Sequence, residues 1–417
     1  MAKYKRVLSS VDIGTSHIRV ALGETDEHTG SIRVLGYASK DSEGSVCKGE
    51  ITDMEKAKGI IDDAIREAER MADREMDPQG IYVGVTGSHI GCTEVAGSTL
   101  IDAEDHKITP QHINEALRIA KASPLATDCL PLNSIDGSFI LDGTRHVNDP
   151  LNQTATKLEA RSHVIYGKRN NINNFLNPIK ELGFNLPRPV FNGLASALAV
   201  LTMDDFEHGV LVIDMGAGVT EFMLFHNFMA IDSGTLTVGC DHIANDISLG
   251  LEVTFPKARS LVKGNTAYEL KKQGQNAIEI PGNFGTRQLP IHSVEKIIEM
   301  RLRETIEIIH ENLKTHNLLQ LLHNGVVICG GGATQPYIKE IVTSVFETPA
   351  RIGYAVDVSG PESLLKFPGN FTVLGLLRHA EHELSPCSPS GLISLINIKV
   401  WPTWVKAWKI LRDAINL

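Results

Sequence analysis

The sequence has little of what holds a secreted or membrane-spanning protein together. Its six cysteines (Cys47, Cys92, Cys129, Cys240, Cys329 and Cys387) stand far apart with no C-x-x-C pair. That excludes a disulfide or zinc framework and leaves thiols expected to stay reduced. No apolar run approaches the ~20 residues that a membrane-crossing helix needs. The opening MAKYKRVLSSVDIG reaches Asp12 before an apolar stretch develops, so no signal-peptide pattern is present. Basic residues number 40 against 50 acidic, a formal charge of −10. Nucleic acid is therefore not an expected partner, because phosphate binding needs positive surface. Sixteen histidines show no H-E-x-x-H spacing, which gives no zinc site. Neither the G-x-x-x-x-G-K-[ST] loop nor a clear G-x-G-x-x-G fingerprint is present. Tryptophan is absent from the first 400 residues; Trp401, Trp404 and Trp408 all fall in the final seventeen.

What is present reads as a soluble, cytoplasmic body. The 417 residues, 42% apolar and 22% charged, suit two or three domains or one two-lobed body. RVLSSVDIG is a short strand, with SIRVLGYAS as its expected hairpin partner. ITDMEKAKGIIDDAIREAERMADREMDPQG is a helix with an expected capping box from Thr52 and Glu55, and Ala57, Ile60, Ile61, Ala64, Ile65, Ala68 and Met71 on one apolar face. Pro78 and Gly80 are its expected stop. After the strand GIYVGVTG a second module begins, with a helix capped by Thr109 and with Pro110 at its first position. Later strands and helices alternate, including a long helix with Val294, Ile298, Leu302, Ile306, Ile309 and Leu313 on one face. The class is α/β.

Three glycine turns carry the chemistry. VDIGTSHIRV places Asp12, Gly14, Thr15 and Ser16 after a strand; VIDMGAGVTEF places Asp214, Gly216, Gly218 and Thr220 after another. The two are alike and about two hundred residues apart, which points to duplicated halves. In each, glycine lets a tight turn bring backbone N–H groups to an anion, and the hydroxyls add donors. The two aspartates could hold a hydrated divalent cation. VVICGGGATQPYIKEI adds Gly330, Gly331 and Gly332, which permit close approach of a flat group or a phosphate. Each turn alone is most often only a turn; the three in this order support one nucleotide held between two lobes.

The tail carries a different signal. From Gly391 onward Lys399, Lys406, Lys409 and Arg412 oppose only Asp413, a local charge of +3 on a chain of −10. On a helix Trp401, Trp404, Trp408, Leu411 and Ile415 fall within an arc of about 80°. Indole rings beside lysines suit a bilayer interface; the bland alternative is a terminal helix docked on the protein itself. HELSPCSPSG before it reads as a linker.

These motifs together resemble the actin, sugar-kinase and heat-shock chaperone superfamily. VDIGTS is similar to its first phosphate loop, VIDMGAGVTEF to its second and VICGGGA to its adenosine loop. Within that superfamily the chain resembles the FtsA family of bacterial cell-division proteins, through FNGLASALAVLTMDDFEHGVLVIDMGAG, GCDHIANDISLGLEVTFPKARSLV, TPARIGYAVDVSG and the amphipathic tail. The resemblance implies a two-lobed actin-like fold with an inserted small α/β subdomain, plus a C-terminal amphipathic helix on a linker. It assigns 1–85 and 164–200 to subdomain 1A, 86–163 to the inserted 1C, 201–245 and 316–381 to 2A, and 246–315 to 2B. Residues 382–391 become the linker and 392–417 the membrane-targeting helix.

The resemblance also implies ATP or ADP with Mg in the cleft. The nucleotide would touch Asp12, Gly14, Thr15, Ser16, His17, Asp214, Gly216, Ala217, Gly218, Thr220, Gly239, Lys263, Gly330, Gly331, Gly332 and Ala333, with Asp12 and Asp214 holding the metal through water. Lipid would meet Trp401, Trp404, Val405, Lys406, Trp408, Lys409, Leu411, Arg412 and Ile415. Implied partners are the C-terminal peptide of FtsZ on 2B, later division proteins on 1C, and other copies of the chain in actin-like filaments. The implied location is the cytoplasmic face of the cell membrane at the division site. The chain departs from the family pattern at His17, Val219, Glu221, Cys240, Ala244, Arg259 and Val262, and near PVFNGLAS only Asn192 could orient a water. Hydrolysis is expected to be slow at most. Two other readings stay open: an actin-like pilus-assembly adaptor, and a small-molecule kinase of the same superfamily.

Overall fold

The computed structural model describes residues 6–26, 30–102, 105–282 and 285–384. The tryptophan-bearing segment expected to be helical, with Trp401 to Ile415, lies outside the described residues.

The first sheet begins with a meander: β1 (Val7–Ile13), β2 (His17–Thr25) and β3 (Ile32–Asp41), each antiparallel to the next. SIRVLGYAS is therefore a strand, but it pairs with β2 and not with the first strand as expected. The residues directly after the DIGTS turn fold back themselves and take that edge. The short pair β4 (Val46–Cys47) and β5 (Glu50–Ile51) precedes α1 (Met54–Ala72). Asp53, not Thr52, caps α1: its carboxylate accepts from Lys56 N at 3.1 Å, while the Thr52 hydroxyl donates to the Ser45 carbonyl at 3.2 Å. The helix stops at the left-handed Asp73, ahead of Pro78. Ala57, Ile61, Ala64, Ile65 and Ala68 are buried as expected; Met71 stands out in solvent. β6 (Ile81–Val85) then runs parallel to β1.

An inserted layer follows, made of β7 (Ile90–Leu100), α2 (Pro110–Lys121), β8 (Cys129–Leu141), β9 (Arg145–Val147) and β10 (Lys157–Lys168), with sheet order β7-β10-β8-β9. Its own core includes Ile108, Leu117, Phe139, Leu141 and Leu158. α3 (Arg169–Glu181) returns the chain to the first lobe and β11 (Arg188–Phe191) closes that sheet beside β6.

α4 (Asn192–Val200) is buried along its whole length. A helix apolar on every side must be covered on every side, and this one sits between the two halves. After α5 (Met203–His208) the second sheet repeats the first. β12 (Val210–Met215), β13 (Thr220–His226) and β14 (Met229–Leu236) form an antiparallel meander. The chain then runs through α6 (Cys240–Gly250), α7 (Phe255–Lys263), α8 (Thr266–Lys272), the hairpin β15 (Ala277–Gly282) with β16 (Gly285–Pro290), and α9 (Ile291–Thr315). All six residues predicted for the apolar face of α9 are buried. β17 (Val326–Cys329) joins β12 in parallel, and after α10 (Ile338–Phe346), β18 (Ala350–Ile352) completes the order β14-β13-β12-β17-β18. The first sheet has the matching order, three antiparallel strands and then two parallel ones, so the duplicated halves read from the two turns are present as two equivalent sheets.

The chain does not end in the second half. β19 (Val358–Ser359) pairs with β3, and after α11 (Glu362–Lys366), α12 (Phe371–Leu384) packs on α4, β1, β2 and β6. Residues 358–381, grouped by the sequence reading with the second half, thus belong to the first, and 382–384 are helix before the Ser/Pro segment. The apolar face of α12 specifies burial but not which of two similar sheets it covers.

Candidate functional site

The two aspartates occupy the same place in the two sheets. Asp12 lies near the end of β1 and pairs across the hairpin with Arg19; Asp214 lies near the end of β12 and pairs with Glu221. Both turns close the same way: Gly14 N donates to the His17 carbonyl at 3.1 Å and Gly216 N to the Val219 carbonyl at 2.8 Å. The third turn meets the second from the side. Gly330 has φ +79°, and a Cβ there would lie 2.2 Å from Asp214 Oδ1, so this position requires glycine twice over.

Around these turns lies a cavity of about 280 Å³. Of the residues expected at the nucleotide, Asp12, Gly14, Thr15, Ser16, His17, Asp214, Gly216, Ala217, Gly218, Lys263, Gly330, Gly331 and Gly332 line it. Three do not. The Thr220 side chain is fully buried and donates to the Val238 carbonyl at 2.7 Å. Gly239 caps α6 behind the second turn, where a Cβ would meet the Ala217 carbonyl oxygen at 2.5 Å. Ala333 is buried inside the short turn that follows the glycines. Arg19, Thr86, Asp241, Gln335 and Thr372 also line the cavity. Sequence reasoning missed them because Arg19, Asp241 and Gln335 lie just beyond the residues singled out in their motifs, and Thr86 and Thr372 come from segments with no motif of their own. Val219, Glu221, Cys240, Arg259 and Val262, noted only as departures, line it too, as does Asn192.

The electrostatics are unusual for a buried space. Three carboxyl groups, Asp12, Asp214 and Glu221, are each about 5% exposed or less. The guanidinium of Arg19 reaches Asp12 at 3.4 Å, and Asn192 Nδ2 donates to the same carboxylate at 3.4 Å. Asp214 accepts from the hydroxyls of Ser196 and Thr372, and Glu221 from that of Thr86. Burial pushes the Asp12 carboxyl up to about 6, against the pull of Arg19 and with the help of nearby Asp214. Glu221 is raised well above the carboxylate range by burial and then by the two aspartates. His17 is pushed the other way, down to about 4, by burial and by the positive charges of Arg19 and Lys263. Its ring is therefore neutral at pH 7, a hydrogen-bonding group and not a cation. Two carboxylates facing one guanidinium favour an added cation, and the open backbone N–H turns on either side favour an anion. A phosphate chain carrying a hydrated divalent cation fits both demands.

A second and larger cleft, about 1230 Å³, lies where α2 and β8 of the inserted layer face β11 and the end of α12. Arg188 forms part of its wall, paired with Glu383 at 2.6 Å.

Two equivalent sheets, helices filling the space between them, and a cleft at the paired turns define an actin-like protein. Solved structures of similar fold include a PilM-PilN type IV pilus biogenesis complex, at 14% identity and TM-score 0.62, over 90% of this chain and 98% of that one. MreB5 of Spiroplasma citri bound to AMPPNP is similar at 14% identity and TM-score 0.50, over 89% and 95%. The sequence narrows the class. The family model "Cell division protein FtsA" matches residues 211–375, and "SHS2 domain inserted in FTSA" matches residues 87–166. The cell division protein FtsA of Borreliella burgdorferi is 28% identical over 383 residues, 91% of this chain and 92% of that protein. The chain belongs to the FtsA family of cell-division proteins.

Proposed function

We propose that the protein is an ATP-binding filament subunit that attaches the division ring to the cytoplasmic face of the cell membrane. The observation that carries the nucleotide part is the pairing of the two equivalent glycine turns across one cavity with Asp12 and Asp214 at their bases. Gly14 to Ser16 and Gly216 to Gly218 would cradle the phosphates, with Lys263 at the cleft edge. Asp12 and Asp214 would hold Mg²⁺ through its water shell. The ion would neutralise phosphate charge; the chain's own residues position the phosphates and close the lobes over them. Asn192 is the amide nearest Asp12 and donates to that carboxylate, so it is engaged in positioning and a water-orienting group is weakly supplied. Bound nucleotide serves first to fix the lobes against each other.

The remaining parts rest on the family and on the sequence of the tail. Subdomain 2B, residues 246–315, would take the FtsZ tail. The inserted 1C layer would take later division proteins, and the large cleft at its junction with the first lobe supports a partner there. Copies would associate into actin-like filaments. Burying the tryptophan face in lipid gives reversible attachment, and filament formation multiplies it. Electron microscopy of the full chain on a lipid monolayer, with and without ATP and FtsZ tail peptide, tests the assembly. Trp408→Glu should abolish liposome sedimentation while leaving the folded body unchanged. Retained sedimentation would remove the membrane role.

A further inference from the structure

We infer that the tryptophan face of the tail, with Trp401, Trp404, Trp408, Leu411 and Ile415, docks in the large cleft between the inserted layer and the first lobe whenever lipid is absent. That gives a second place to a face already read as lipid-binding, and it does not depend on lipid being the first. The described chain stops at this cleft. His379, His382 and Glu383 of α12 line it, and Leu384, the last described residue, follows Glu383. Residue 385 therefore starts at the cleft wall, one Cα step of about 3.8 Å from Leu384. Sixteen residues separate Leu384 from Trp401, enough chain to turn back on itself.

The cleft suits an apolar occupant. At about 1230 Å³ it far exceeds the cavity at the glycine turns. Ala122, Pro131 and Leu132 on one wall and Leu186 and Pro189 on the other bring apolar surface to it, and Leu186 is 61% exposed. Charges along the walls are already paired, Arg188 with Glu383 at 2.6 Å and Lys121 with Asp136 at 2.8 Å, so the site asks for no counter-ion. A concave apolar surface of this kind draws large side chains out of water. On the expected helix Lys406 lies opposite the tryptophan face and stays in solvent when that face is covered. Tethering makes a weak contact sufficient. A short flexible link gives an effective concentration in the millimolar range, so a contact of ~0.1 mM intrinsic strength is about nine-tenths closed. A partner for this cleft would then find it open only once the tail has moved to lipid.

The sequence supplies the probe. All three tryptophans lie in the tail, so the tryptophan emission of the full chain reports on the tail alone. Acrylamide quenching is measured without lipid or nucleotide on the wild type, on Leu186→Glu and on Leu132→Glu. Met300→Glu is the control, since Met300 stands on α9 of the second lobe and is 62% exposed. Circular dichroism melts check that each body is folded, and two cleft variants are used so that one misfolded protein does not decide the result. Wild type and Met300→Glu are expected to be quenched about fivefold less than the cleft variants. On vesicles of equimolar phosphatidylglycerol and phosphatidylcholine the cleft variants should bind about tenfold more tightly than wild type, because their tail has no docked state to leave. Equal quenching in all four proteins would overturn the inference and leave the membrane reading standing. Protection lost in Met300→Glu would overturn it too, as would protection that rises with protein concentration, which would put the tail on a second copy. A quenching difference with no vesicle binding by any form would keep the docked tail and remove the membrane role.

Discussion

Replacing Gly218 with alanine probes a place where the two glycine turns meet. A Cβ at this position would lie 2.5 Å from Thr15 Oγ1, 2.8 Å from Lys48 Cα and 2.9 Å from Lys48 N. Thr15 and Lys48 belong to the first lobe and Gly218 to the second, so the methyl group would be a wedge between lobes. The Thr15 hydroxyl also accepts from Gly49 N at 3.2 Å and is held in place. Two of the three obstructing atoms are backbone, and they would have to retreat by about 0.6 Å to restore ordinary contact. Overpacking of this kind costs about 1–3 kcal/mol. If the closed arrangement is the one that binds nucleotide, that cost appears as a 5- to 150-fold loss of ATP affinity. Each lobe keeps its own core, so the melting temperature without nucleotide should change little. The assay is titration with a fluorescent ATP analogue alongside a thermal melt. Wild-type affinity in Gly218→Ala would refute the argument that the turns must meet for binding.

Asp214→Asn should leave one oxygen to accept from Ser196 and Thr372 while removing a charge next to Asp12 and Glu221. Calorimetry should show Mg²⁺-dependent ATP affinity falling by about tenfold or more, with apo thermal stability unchanged or raised. His163 tests the second junction, where its Nε2 lies 2.9 Å from Ser233 Oγ of β14. Burial lowers this imidazole to about 4, so the unfolded chain binds the extra proton first as pH falls. The stability involved is complete above about 6.5 and is lost progressively towards 4, on the order of 2 kcal/mol at pH 5. Thermal melts of His163→Gln across that range should be flatter than wild type, and parallel curves would remove His163 as a source of acid sensitivity.

Much of the site was legible because a strand running into D-x-G is a local event. Asp12, Gly14, Asp214 and Gly216 sit where the sequence put them, since the turn geometry depends only on neighbouring residues. Thr220, Gly239 and Ala333 were drawn in by adjacency to the motifs, yet the Thr220 and Ala333 side chains are buried and the Gly239 backbone lies behind the second turn. Arg19 and Thr372 were invisible, because they enter the cleft from the far strand of a hairpin and from the start of α12.

The same division holds for the fold. Periodicity alone fixed the apolar face of α9, and the repeated turn alone announced two halves, because both signals lie within a few tens of residues. The Asp53 cap of α1 turned on competition, since the Thr52 hydroxyl found a carbonyl on a loop that the local pattern does not describe. Only the tertiary structure decided that residues 358–384 return to the first sheet. Two similar sheets offer equivalent apolar faces, and the choice between them is made by contacts hundreds of residues away, such as the Ser10 hydroxyl on the Val373 carbonyl.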